Sequence, residues 1–211
     1  MSGRGEFRDI TRSITESTAV FPGDTTLSRE ILCDLERGDN ITLSTMRSTV
    51  HLGTHADGPN HYGKGGRSVE EQPIDLYVGH CQVVRVAVDP GRRVGVADLR
   101  GTSIELPRVL IATDSAPDTE RWYPDFNGLE PDLVDHLADA GVRLVGVDTP
   151  SVDAADSKDL PAHSRFFARD LAIIEGLDLH GIEEGRYELI ALPLKLRGFD
   201  GSPVRAILRT I

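Results

Sequence analysis

Three of the chain's seven histidines fall within His51-Leu52-Gly53-Thr54-His55-Ala56-Asp57-Gly58-Pro59-Asn60-His61. Imidazole nitrogens are ligands for Zn2+, Mn2+, Fe2+ or Ni2+, and a carboxylate can bridge two ions. Gly53, Gly58 and Pro59 argue against a helix here. A helix would also set Asp57 about 200° around its axis from His55. In extended chain, positions 51, 55, 57 and 61 share parity, so the spacing predicts that all four side chains face one side of a strand. One histidine pair would be as readily a capping or surface feature. Four such groups, broken by Gly and Pro, point instead to metal binding.

The same stretch contains a partial phosphate-loop pattern, Gly58-Pro59-Asn60-His61-Tyr62-Gly63-Lys64-Gly65. Gly65 stands where a Mg2+-binding Ser or Thr belongs, and the sequence shows no buried strand leading in, so nucleotide binding is not expected. There is no Gly-x-Gly-x-x-Gly fingerprint and no Gly-x-Ser-x-Gly elbow. Cys33 and Cys81 form neither a Cys-x-x-Cys pair nor a disulfide framework, and both read as small buried residues. His80 and His180, beside glycines at turns, and His136 read as structural or exposed.

The elements that must hold this chemistry are short. Gln82–Val88, Arg108–Thr113, Arg143–Asp148, Leu171–Glu175 and Glu188–Leu192 read as strands. Leu133, Val134, Leu137 and Ala140 fall at helical spacing between Pro131, suited to a first helical position, and Gly141, suited to a C′ stop. Strand, helix and strand in that order predict a βαβ unit. The N-terminal third reads as extended chain and loops. One mixed α/β domain spanning 1–211 is expected, since 211 residues is an ordinary size for one domain.

Composition excludes several classes. Lys plus Arg is 23 against 34 for Asp plus Glu, a net charge of −11. With no Lys/Arg run longer than Arg92-Arg93, no nucleic-acid partner is expected. The apolar runs are far shorter than the ~20 residues of a membrane helix. Met1–Ile10 carries Arg4 and Arg8 without a following apolar segment. No secretory signal is predicted there, and the expected setting is cytoplasmic.

The pattern His51-x-Gly53-Thr54-His55-x-Asp57-x-Pro59-x-His61 resembles the signature of the Putative cyclase superfamily, which includes bacterial kynurenine formamidases (arylformamidases) and isatin hydrolases. The resemblance extends over most of the chain: Asp9-Ile10-Thr11, Phe21-Pro22-Gly23-Asp24, Asp148-Thr149-Pro150-Ser151 and Ala191-Leu192-Pro193-Leu194 match further segments. Ser202-Pro203-Val204-Arg205-Ala206 is similar to the formamidase branch. The resemblance implies a swivelling β/β/α fold, with a barrel-like central sheet and flanking helices. It implies two divalent ions, Zn2+ or alternatively Mn2+. His51, His55 and Asp57 would hold one, Asp57 would bridge to the second, and His163 and Glu175 would complete the set. His61 matches the catalytic histidine.

The distal pair carries a physical condition. On one continuous helix His163 and Glu175 would lie ~18 Å apart, so the chain must turn between them. A helix over roughly Ala162 to Arg169 followed by a strand satisfies this. A carboxylate closing the apolar run Ala172-Ile173-Ile174 is costly to bury unless paired or metal-bound; the alternative is a strand end facing water.

By the same resemblance, a metal-bridged hydroxide attacks a formyl or cyclic amide carbon, and His61 passes a proton to the leaving nitrogen as general acid/base. The implied substrate is N-formyl-L-kynurenine, giving L-kynurenine and formate. Phe21 stands where the branch usually has Trp and is the expected substrate-stacking residue. Asp114 stands where a basic residue is common in relatives. Trp122 has no assigned role. Hydrolysis of isatin or another cyclic amide or lactone is the alternative reaction, and a non-catalytic metal-binding protein is the alternative class. The resemblance also implies a homodimer.

Overall fold

The computed structural model describes residues 5–211; Arg4, part of the stretch read for a signal segment, lies outside them. Eleven strands occur in the order β1 (Phe7–Asp9), β2 (Ser28–Cys33), β3 (Leu43–Arg47), β4 (His55–Asp57), β5 (Val78–Arg85), β6 (Arg108–Ala112), β7 (Leu144–Val147), β8 (Ala172–Glu175), β9 (Gly185–Ile190), β10 (Gly201–Pro203) and β11 (Ile207–Thr210). Two α-helices, α1 (Pro131–Asp139) and α2 (Pro161–Arg169), follow β6 and β7 respectively. No helix among the described residues is long and apolar enough to cross a membrane.

Nine strands form one sheet in the order β1-β11-β9-β5-β6-β7-β8-β4-β10. Strands β5 to β8 run parallel to one another, and β9 and β4 flank them antiparallel. The expected βαβ unit is β6-α1-β7, and β7-α2-β8 repeats it. Period-two alternation sends β8's Ile173 under the helices with Leu133, Leu137 and Phe166. Ala172 and Ile174 face a second core with Ile10, Tyr77 and Leu208. That second core is shared by strands far apart in the sheet order, because the sheet curls. Thr11, just beyond β1, bridges to Leu177, just beyond β8. Asp178 N–H donates to Ile10 O at 2.9 Å.

The mixed α/β architecture with a barrel-like sheet is as expected, and three local readings are corrected. Residues 51–61 are not one strand. Gly53 adopts φ +59 and Pro59 opens a 3-10 turn, so only His55–Asp57 is a strand. A buried strand does lead into Gly58, but that single turn, not an α-helix, follows it, so no phosphate-binding helix N-terminus forms. Cys81 is buried as expected; Cys33 is only half-buried, at the end of a hairpin of β2 and β3 that joins no other strand.

Candidate functional site

Backbone pairing brings the distant ligand candidates together. In the antiparallel β4–β8 ladder His55 sits directly opposite Glu175, so their side chains share one face. His55 Nε2 lies 3.3 Å from Glu175 Oε2 and 3.5 Å from Asp57 Oδ1. The two strands close tightly at their glycines: a Cβ on Gly176, at φ +66, would stand 2.1 Å from Gly53 O. On the other side of β4, Gly201 pairs with Asp57, and a Cβ there would meet the His51 ring at 2.8 Å. Larger residues at either position would push ligands off the site.

His163 arrives from the first turn of α2. Its Nε2 is 3.5 Å from Asp57 Oδ2 and 3.6 Å from Glu175 Oε1. The chain turns between His163 and Glu175 as the spacing required, with Asp170 at φ 53 ending the helix. His51 Nδ1 is 3.0 Å from Asp57 Oδ1, and the His61 ring packs 4.1 Å from that of His51. Asp57 therefore belongs to two groups whose donor atoms lie within 4.8 Å of one another: His51, Asp57 and His61, and His55, Asp57 and Glu175. Glu175 is buried and also accepts from Val152 N–H at 2.8 Å. The alternative of a strand end facing water does not hold.

The donor chemistry fits a divalent ion. Gly53 O can only accept, so His55 Nδ1, 3.0 Å away, carries the proton and Nε2 presents a lone pair. His55 Nε2 and Asp57 Oδ2 are buried without a hydrogen-bond partner, and buried polar atoms are rarely left so. The local field favours positive charge. Burial opposes protonation of His51, but the Asp57 and Asp200 carboxylates outweigh it and hold its pKa up at about 9. Burial likewise opposes His163, and Asp153 and Asp57 raise it to about 10. A bound cation would replace such protons. His61 differs: burial, against the pull of Asp57, lowers its pKa and leaves the ring neutral.

Two further carboxylates serve the site. Asp200 Oδ2 lies 3.1 Å from His51 Nε2 and 3.5 Å from His61 Nδ1. Asp153 Oδ2 accepts from His163 Nδ1 at 2.9 Å, orienting Nε2 towards the cluster. Both were missed at the sequence level. Asp200 immediately precedes Gly201, and Asp153 lies two residues beyond Asp148–Ser151; no spacing rule ties either to a histidine.

The cluster floors a cavity of about 420 Å3. Phe21 and Trp122 line it as an edge-to-face pair, centroids 5.0 Å apart, and Phe126 backs Trp122 at 5.9 Å. Trp122 comes from the long β6–α1 connection, tied to the N-terminal segment by Ala19 N–H donating to Thr119 O at 2.8 Å. Asp114 turns away, paired with Arg85. His80, His136 and His180 are all exposed, as the sequence reading allowed, and none lines the cavity.

A family model described as Putative cyclase matches residues 8–154. A solved structure described as a potential metal-dependent hydrolase with cyclase activity is 29% identical, with TM-score 0.85 and 98% of each chain covered. A predicted metal-dependent hydrolase from Bacillus stearothermophilus is 30% identical, with TM-score 0.82, covering 97% of this chain and 98% of that one. Isatin hydrolase A from Labrenzia aggregata, at 23% identity, shares the fold with TM-score 0.83, covering 99% of this chain and 95% of that one.

Proposed function

The chain belongs to the Putative cyclase family and has its metal-dependent hydrolase fold, and from that premise we propose that it hydrolyses the formamide of an aromatic amine, N-formyl-L-kynurenine, giving L-kynurenine and formate. One observation carries the reading: buried, partnerless His55 Nε2 and Asp57 Oδ2 converge with His51, His163 and Glu175 beneath a cavity walled by Phe21 and Trp122.

His51, His55, Asp57, His163 and Glu175 would hold two divalent ions, Zn2+ or Mn2+, with Asp57 shared between them. Bound there, such ions polarise a carbonyl and acidify water. The remaining work falls to side chains. Phe21 and Trp122 stack the substrate's aryl ring and shield it from water. Asp200 steadies His61 through Nδ1, leaving Nε2 to take a proton and return it to the leaving nitrogen. That return matters because an unprotonated anilide nitrogen leaves poorly.

The likeness to isatin hydrolases supports a second reading, opening of a cyclic amide such as isatin or a lactone. The test is formate release from N-formyl-L-kynurenine beside ring opening of isatin, before and after EDTA, then with Zn2+ or Mn2+ restored. Formate release that EDTA abolishes and metal restores supports the first reading. Isatin turnover alone moves the assignment to the second. Neither, with metal bound, leaves a non-catalytic metal-binding protein.

The same proposal has residues 1–211 acting as one cytoplasmic domain that pairs as a homodimer. The β2–β3 hairpin supports this. Ile31 and Leu32, at an irregularity in the β2–β3 ladder, are both exposed, as are Leu43 and Met46. A two-stranded hairpin is marginal by itself, and a second copy would cover it.

A further inference from the structure

We propose that Arg12 is the seat of a carboxylate on the substrate, so that the enzyme is selective for aryl amides that carry a carboxylate over those that lack one; this rests on the hydrolase reading above. Arg12 lines the cavity beside His51 and His55. Its place is over-determined. Its backbone N–H donates to Thr54 Oγ1 at 3.0 Å, and Thr54 Oγ1 donates on to Gly176 O at 2.6 Å. Its guanidinium donates from Nε to Leu177 O at 3.2 Å and from Nη2 to Asp148 O at 2.9 Å. Thr54 and Gly176 sit next to His55 and Glu175 in sequence, so the charge is tied to the strands that carry the cluster.

The two carbonyls occupy one edge of the guanidinium. The Nη1–Nη2 end keeps donors that no described residue accepts, and no described carboxylate lies within ion-pair distance. Most arginines near a carboxylate here are paired: Arg67 with Asp170, Arg85 with Asp114, Arg93 with Asp153. Arg108 also lacks a carboxylate, but it spends its donors on the carbonyls of Leu76, His80 and Asp75, away from the cavity. Arg12 is half-buried and its open fork faces the cavity, so a ligand anion can reach it. A planar fork matches a carboxylate in two-point fashion. Arg121 and Lys158 also line the cavity, but among the described residues they have neither a carboxylate partner nor an anchoring hydrogen bond.

Binding of L-kynurenine and of its methyl ester to metal-loaded protein is measured by calorimetry, and turnover of N-formyl-L-kynurenine is compared with that of neutral formanilide. The acid is expected to bind about tenfold or more tighter than the ester, as a two-point charged contact implies. Arg12→Gln is expected to erase that preference and to raise KM for N-formyl-L-kynurenine more than it lowers kcat. Arg12→Lys should restore part of it, whereas Arg121→Gln and Lys158→Gln should not erase it. Equal affinities of acid and ester for the wild type overturn the inference even if Arg12→Gln does not fold. So does a preference that survives Arg12→Gln, or one lost only in the Arg121 or Lys158 variants. Failure to hydrolyse either formamide overturns the formamidase reading instead, and the binding comparison still decides the role of Arg12.

Discussion

His61 and its neighbours divide the labour by environment. His55 and His163 are locked through Nδ1 to an acceptor, so each aims Nε2 inward. His61 has no such lock beyond Asp200 at 3.5 Å, is more exposed, and is held neutral by burial. A ring without a fixed Nδ1 partner is free to turn as it takes up and passes on a proton. His61→Ala is therefore expected to lower turnover by about 10²- to 10⁴-fold while metal content per chain, measured by plasma mass spectrometry, stays at the wild-type value. Loss of metal together with activity would make His61 a ligand.

Among the elements, α2 carries the most tension. Its N-cap residue, Leu160, sits at φ 42 and offers no capping side chain. Asp153, upstream in the chain, supplies the missing acceptors instead: Ala162 N–H donates to Oδ1 at 3.1 Å and His163 N–H to Oδ2 at 3.0 Å. Arg93 Nη1 clamps the same carboxylate at 2.8 Å. One side chain thus caps the helix and orients its histidine. Although burial opposes ionisation, the His163 contacts and Arg93 hold the Asp153 pKa down at about 2. Asp153→Ala is expected to cost about 2 kcal/mol of unfolding free energy through the lost cap. Metal affinity should fall about 10- to 100-fold through the lost orientation. Chemical denaturation and metal titration read the two effects separately, and a stability loss with unchanged affinity would reduce Asp153 to a cap.

At the scale of the whole molecule, the cluster joins β4, β8 and α2, so an ion bound there binds only the folded chain. At metal about 100-fold above its Kd, linkage adds about 2.7 kcal/mol of stability. EDTA should therefore lower the thermal midpoint in scanning calorimetry, and Zn2+ or Mn2+ should restore it; an unchanged midpoint would argue against resident metal. The exposed hairpin makes a separate prediction. The chain should run as a dimer in light scattering, and Met46→Glu, a charge placed on the apolar hairpin face, should shift it towards monomer. A wild-type chain that is monomeric at micromolar concentration would leave the hairpin without its proposed cover.

What the sequence by itself determined were the residue types and the local periods. The His51–His61 motif, the βαβ unit around Leu133, Val134 and Leu137, and the turn required between His163 and Glu175 were all legible, because they depend on spacing within a few residues or on helical rise. The sharing of one face by His55 and Glu175 was not, because strand register comes from pairing across 120 positions. Parity along a single strand predicted the right convergence for the wrong reason: the positive φ of Gly53 and the turn at Pro59 fold His51 and His61 back towards Asp57. Asp153, Asp200, Trp122 and Arg12 entered only with the tertiary structure. Each reaches the site from a loop whose path is set by packing and long-range hydrogen bonds, and neither leaves a period in the sequence.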